Sequence, residues 1–292
     1  MLRRRSEPRE RTDGGGGGLR GEGGDAGARV GAQAKGWHNA STAPRADVGS
    51  PASTSWVNSR RTPITEADAR KIVPDTSPSP LQSPLVIEMP KPMAEAMGWP
   101  DRPIGWKDII AISRDPNGWA RYGHPEWGRF RLGKTNPQLS TSGLNALVAT
   151  YYAASGLKHD LSESDLEQPA TVAFVADLER SVVHYGDTTN TFLANLLQAD
   201  AGGGGLGYIS AVPVEEKQLI AYNQGQIASA GLKPGTKPST PLVATYPADG
   251  TLVAAHPYVT LPATWTHQSN PTPAARCPAF PAHPAPHRPL PP

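Results

Sequence analysis

The chain is predicted to be an α/β protein. Short apolar runs closed by Pro or Gly alternate with helical stripes of apolar residues at 3.6-residue spacing. The residues that forbid regular structure are also concentrated at the two ends. The 292 residues hold 30 Gly and 32 Pro, where average usage would give about 20 and about 15. Residues 1–46 contain 11 of those Gly and 8 Arg, and residues 267–292 contain 9 of the Pro. The stretch between them, 47–265, has ordinary composition and is long enough for one domain or two small lobes with a sizeable core.

The elements follow in chain order. Ser83 to Pro90 (SPLVIEMP) is a short apolar run closed by prolines, hence a strand. Pro92 to Met97 gives a helical turn or two, and Trp106 to Ser113 a helix that stops before Asp115-Pro116. Phe130 to Lys134 reads as a second strand. Leu144, Leu147, Val148, Tyr151 and Tyr152 mark a helix that should stop at Gly156 in a left-handed conformation. Pro169 suits a first helical position, and Val172, Val175, Leu178, Val182 and Tyr185 form a stripe running to Gly186. Phe192, Leu193, Leu196 and Leu197 give one more helix. Leu206 to Val212 reads as a buried strand and Val214 to Tyr222 as an amphipathic helix. Leu242 to Tyr246 and Tyr258 to Leu261 are late strands on either side of the turn Pro247 to Gly250. Such alternation predicts a largely parallel sheet. No internal repeat is visible.

The ends are expected to be disordered: 1–46 for want of large apolar side chains, 266–292 because proline supports neither a ladder nor a helix interior. Their shared bias toward Gly, Ala, Arg and Pro, all with GC-rich codons, fits either low-complexity extensions or out-of-frame reading of a GC-rich gene. The bulk numbers exclude several classes. A net charge of +2 with both signs mixed through the middle gives no nucleic-acid footprint. One cysteine, Cys277, permits no intrachain disulfide. No run of 18 apolar residues is present, and the basic start leads into Gly, so no export signal is expected in the chain as written.

Three nucleotide-type motifs occur and none is in a suitable context. Gly128 to Thr135 (GRFRLGKT) spells a phosphate loop, but its interior reads as strand and Pro137 delays the helix that should start at the lysine. Gly202, Gly204 and Gly207 match a dinucleotide fingerprint but run from helix into strand, the reverse of what it needs, and Gly16, Gly18 and Gly21 lie in the leader. No nucleophile elbow, zinc-protease motif or Cys/His ligand spacing is present. His124 with Glu126 is read as structural, and His184 is placed at a helix C-terminus, not in a triad with Asp187 and Ser142. No catalytic residue, metal site or cofactor is expected.

The informative segment is Thr135 to Gly143 (TNPQLSTSG), between a strand and a helix. Three consecutive hydroxyl residues, Ser140, Thr141 and Ser142, precede the Leu144 helix. One of them should cap it. Either capping is all that they do, or the others, with the uncommitted N–H groups of a helix N-terminus, make a cradle for an anion or a polar ligand.

At this segment the chain resembles bacterial extracellular solute-binding proteins of the type II periplasmic-binding-protein fold. It is most similar to the substrate-binding region that some bacteria place upstream of a von Willebrand factor A domain. The resemblance is carried by Asp47-Val48, by SPASTSWVN (50–58) and by SPLVIEMPKPMAEAMGWP (83–100). GWARYGHPEWGRFRLGKTNPQLSTSGLNAL (118–147), VVHYGDTT (182–189), GYISAVPVEEK (207–217) and YPADGTLVAAHPYVTL (246–261) extend it over about residues 47–262. It implies two α/β lobes joined by crossing strands, with a small polar or anionic solute held in the cleft. It also implies export, a monomer and delivery to a membrane transporter, without catalysis. Carried onto this chain, the cleft residues would be Ser50 and Ser53 from the first lobe and Asn136, Ser140, Thr141, Ser142 and Tyr208 from the second. The family's first strand–helix–strand has no counterpart in 1–46, and no D-x-S-x-S metal motif follows Trp265. The first lobe is therefore expected to be incomplete, with exposed strand edges and a tendency to aggregate.

Overall fold

A computed structural model of the chain describes residues 48–56, 78–79, 81–156 and 160–260. The expectations for 1–46 and 266–292 lie outside the described residues.

The architecture is built on one long strand. After β1 (Val48–Gly49), β2 (Leu81–Pro90) changes partners along its length. Its first half, Leu81 to Pro84, pairs antiparallel with β7 (Val253–His256). Its second half lies between β5 (Val212–Glu215) and β6 (Leu242–Thr245), also antiparallel, with Glu88 opposite both Val212 and Ala244. Pro84 sits at the changeover, where a residue without an N–H costs no central ladder bond. β8 (Val259–Thr260) returns to pair with β1.

A second pair is parallel: β3 (Leu132–Thr135) with β4 (Val182–Gly186). A parallel bridge from Leu132 to Ala211 and the bond from Gly133 N–H to the Ala211 carbonyl (2.8 Å) connect β3 to the residue preceding β5. The strand order across this body is therefore β4-β3-β5-β2-β6. The sheet is mixed, not largely parallel as the alternation of elements suggested. Its antiparallel centre comes from β2, whose partners β5 and β6 follow it by more than a hundred residues.

Helices cover both faces. α1 (Lys91–Ala96), α2 (Trp106–Arg114), α3 (Thr141–Ser155), α4 (Glu163–Leu166) and α5 (Pro169–Arg180) precede β4. α6 (Thr189–Ala201), α7 (Gly205–Tyr208) and α8 (Glu216–Asn223) follow it. The alternate residues Leu85, Ile87 and Met89 of β2 pack with Trp106, Ile109, Trp119, Ala146 and Leu178 on one face. Val212 and Val214 pack with Phe192, Leu196, Leu219 and Tyr222 on the other.

Several sequence expectations shift at their boundaries, and the strand expected over Phe130 to Lys134 runs from Leu132 to Thr135. The stripe from Val172 to Tyr185 is not one helix: α5 ends at Arg180, and Val182 to Gly186 form β4. Val182 and Val183 are β-branched, and pairing with β3 overrides a periodicity that happens to continue. Leu206 to Val212 is not one strand: Gly205 to Tyr208 coil into α7 and the strand runs from Val212 to Glu215. The helix expected from Val214 accordingly starts at Glu216. The helix from Leu144 ends as expected, at Gly156 with φ of 66°.

Candidate functional site

β3 and β4 are parallel neighbours, and each runs from its C-terminal end through a short loop into a helix. The two helices, α3 and α6, therefore start side by side beyond the same edge of the sheet. Both N-termini are capped by hydroxyls. Ser140 Oγ accepts from Gly143 N–H at 3.4 Å, and Thr188 Oγ1 accepts from Thr191 N–H at 3.2 Å. Gly143 is required for the approach: a Cβ there would lie 2.2 Å from the Thr135 carbonyl oxygen.

Hydroxyls stitch the two helix starts together. Thr135 Oγ1 donates to Ser140 Oγ at 2.9 Å, Ser140 Oγ lies 3.2 Å from Thr189 Oγ1, and Thr189 Oγ1 donates to Ser142 Oγ at 3.1 Å. All four side chains are buried. A second set reaches α3 from the segment 53–56. Trp56 Nε1 donates to Thr141 Oγ1 at 2.9 Å. Ser53 Oγ donates to Ser55 Oγ at 3.1 Å, and Ser55 Oγ to Asn145 Oδ1 at 3.4 Å. Asn145 lies one turn beyond Thr141 and is 1% exposed, yet its Nδ2 has no partner among the described residues. These O–H and N–H groups stand at two helix N-termini, whose dipoles favour negative charge.

The expected residues separate accordingly. Ser53, Ser140, Thr141 and Ser142 converge on this cluster. Ser50 is exposed, and no hydrogen bond among the described residues joins it to them. Asn136 shapes the loop: its N–H donates to the Gly186 carbonyl (2.8 Å), its own carbonyl accepts from Ser140 N–H (2.7 Å), and Oδ1 accepts from Gln138 N–H (2.9 Å). Tyr208 stands apart from the hydroxyls. It stacks on His184 with ring centroids 3.9 Å apart, and burial raises its pKa. His184 is therefore a strand residue, not a helix C-terminal one. Burial, aided by the Arg131 charge, lowers its pKa.

Thr135, Thr188, Thr189, Trp56 and Asn145 were not among the residues expected from the sequence. The signal for Thr188 and Thr189 was present: Asp187-Thr188-Thr189 follows a strand and opens a helix, as Ser140 to Ser142 do.

The phosphate-loop spelling is accounted for by β3. Lys134 is buried in that strand and ion-pairs with Glu179 of α5, and the helix begins only at Thr141. His124 and Glu126 are a local pair at 2.9 Å, with His124 stacked on Trp127; the hydrogen bond from His124 holds the Glu126 carboxyl below its usual range. Among the described residues no group of three or more His, Cys, Asp or Glu could hold a metal, and no helix is long and apolar enough to cross a membrane.

No family model matches the chain, and no curated protein matches it. Among solved structures it is similar to the sulfate-binding protein SubI from Mycobacterium tuberculosis H37Rv, with a TM-score of 0.51 at 15% identity over 83% of this chain and 64% of that one. The fold is that of a periplasmic solute-binding protein. A periplasmic thiamin-binding protein follows at a TM-score of 0.49, with 10% identity over 83% of this chain and 62% of its own. The periplasmic molybdate-binding protein of Azotobacter vinelandii stands at 0.39, with 14% identity over 88% and 78%. The chain thus spans less than two thirds of the sulfate- and thiamin-binding proteins.

Proposed function

We propose that this chain is a non-catalytic solute-binding domain that holds a small polar or anionic ligand at the paired N-termini of α3 and α6. The observation that carries the reading is the convergence of Ser140, Ser142 and Thr189 from two helices onto one buried cluster, with Thr141 and Asn145 beside it. Two helix dipoles and several donors favour an anion there. The segment 53–56, joined to α3 through Trp56 and Ser55, is the opposite wall of the cleft in this reading. Ser50 and Tyr208 are peripheral to it.

An extracellular setting and delivery to a membrane transporter belong to the same proposal, supported by the sequence resemblance and by a fold shared with the sulfate-binding protein. Association with a von Willebrand factor A domain has the sequence resemblance as its sole support. A nucleotide-hydrolysing reading finds no support, because Lys134 is committed to Glu179.

Isothermal titration with sulfate, molybdate, phosphate and a sugar phosphate tests the proposal. Saturable one-to-one binding of at least one of them, weakened by Ser142→Ala, is expected, with no heat from ATP and magnesium. Absence of saturable binding across the panel would contradict it.

A further inference from the structure

The sheet ends at β4, whose outer edge has no strand partner among the described residues. The carbonyls of Ser181 and Gly186 are spent on β3, accepting from Leu132 N–H at 2.9 Å and Asn136 N–H at 2.8 Å. Alternate residues of a parallel strand turn both backbone groups to one neighbour, so Tyr185 turns its N–H and C=O to the open edge. Val183 is also left over. Val182 stands opposite Leu132 and His184 opposite Gly133, so β4 bulges at Val183, which has no counterpart on β3.

Open edges are normally blunted by charge, by proline or by a covering element. Val182 to Gly186 (VVHYG) carries no Lys, Arg, Asp, Glu or Pro. Val183 and Tyr185, two apart and on one face, are 48% and 55% exposed. Val172 is 49% exposed on the row of α5 that carries Glu179, the acceptor of the Tyr185 hydroxyl. The edge is also complementary to itself. Antiparallel pairing of two copies about a two-fold axis at His184 places Val183 of each opposite Tyr185 of the other, and both residues have outward backbone groups. In the same register Ser181 stands opposite Asp187, so Arg180 of each copy lies beside Asp187 of the other. The Arg180 side chain is 73% exposed, and Asp187 is exposed with no ion pair among the described residues. His184 meets its counterpart at the axis uncharged, because burial and the Arg131 charge lower its pKa.

We infer that β4 is the docking edge for a second copy of this chain, the two sheets joining antiparallel in the register centred on His184. Backbone bonds at Val183 and Tyr185 hold the pair, the exposed apolar side chains cover each other, and Arg180 with Asp187 closes both ends. Five residues a side make a small interface, so the association is weak and concentration-dependent. It is independent of the solute-binding reading, and it replaces the monomer that the sequence resemblance implies.

Sedimentation velocity of the full chain over a concentration series tests this, with a shift from monomer to dimer expected as concentration rises. Val183→Lys puts a charge on the edge and should raise the midpoint of that shift by at least about tenfold. Asp187→Arg should raise it as well, and adding Arg180→Glu to the same chain should restore it. Near-UV circular dichroism of the buried tryptophans checks that the variants are folded. The register is read by cross-linking in a Cys277→Ser background. Val183→Cys or Tyr185→Cys alone should not form a disulfide dimer, because like positions stand about 8 Å apart and a disulfide needs less than about 7 Å. An equimolar mixture of the two should cross-link. A monomer at every concentration, a dimer unchanged in folded Val183→Lys, or larger species without a dimer overturns the interface. Cross-linking of the single variants without gain in the mixture overturns the register and with it the proposal. Sulfate titration of the same samples reports on the solute-binding reading separately.

Discussion

Trp56 Nε1 donates to Thr141 Oγ1 at 2.9 Å, although 85 residues separate them in the chain. The bond ties the segment before β2 to the first residue of α3. A neutral hydrogen bond of this kind contributes about 1 kcal/mol net. In a double-mutant cycle of Trp56→Phe and Thr141→Val followed by urea unfolding, a coupling energy of about 0.5–1.5 kcal/mol is expected. Strict additivity would show that the contact does not form in solution.

Gly143 is fixed by packing, not by backbone conformation. Its missing Cβ is what lets α3 start against the Thr135 carbonyl. Gly143→Ala is expected to cost about 1–3 kcal/mol by overpacking against backbone, and to displace the Ser142 and Thr141 donors. Gly207 has an ordinary φ and open space where a Cβ would stand, so Gly207→Ala should change stability by less than about 0.5 kcal/mol. Denaturation midpoints of the two variants measured side by side check the contrast.

Glu88 is buried in the centre of β2, and neither carboxylate oxygen has a partner among the described residues. Its neighbours across the strands are Val212 and Ala244, and Tyr222 of α8 senses its charge. Desolvation pushes its pKa well above the usual carboxylate range. The folded chain then holds a proton that the unfolded chain releases above about pH 4.3, so stability falls as pH rises from there until the folded group also ionises. The contribution is up to about 1.4 kcal/mol per pH unit. Glu88→Leu should remove this slope and raise stability at neutral pH by about 1–3 kcal/mol, read from unfolding curves across pH. A parallel pH dependence in the variant would contradict it.

The Lys134–Glu179 pair is unequally exposed, with side-chain values of 1% and 33%. Removing either partner should therefore have different consequences. Glu179→Gln strands a buried ammonium and is expected to cost about 3–5 kcal/mol. Lys134→Met leaves Glu179 partly solvated and still bonded by the Tyr185 hydroxyl at 3.2 Å, at a cost of about 1 kcal/mol. Urea unfolding of both variants checks the order, and the reverse order would contradict the burial assigned to Lys134.

The core elements are legible in the sequence where local signals agree with tertiary context. Ser83 to Pro90 is apolar, proline-bounded and buried, and it lies within β2. Ser140 as cap and Gly156 as stop follow from residue type alone. The partner half of the site is hidden by one misleading period. If Val182 to Gly186 ends a helix, Asp187 to Thr189 is a connection between helices; if it ends a strand, the same residues are a second cap beside the first. Trp56 and Asn145 carry no local signal for their roles, because those depend on contacts 85 and 90 residues away. The antiparallel centre of the sheet is illegible for a similar reason: β2 pairs with strands that follow it by more than a hundred residues.

The central claim is that a solute sits at the joined N-termini of α3 and α6. It is tested most directly by following backbone amide resonances while sulfate is titrated into the labelled chain. Saturable shifts centred on Thr141, Ser142 and Thr189 are expected, with the Asn145 side-chain Nδ2 protons moving in step. Shifts confined to other parts of the chain, or none at saturating sulfate, would contradict it.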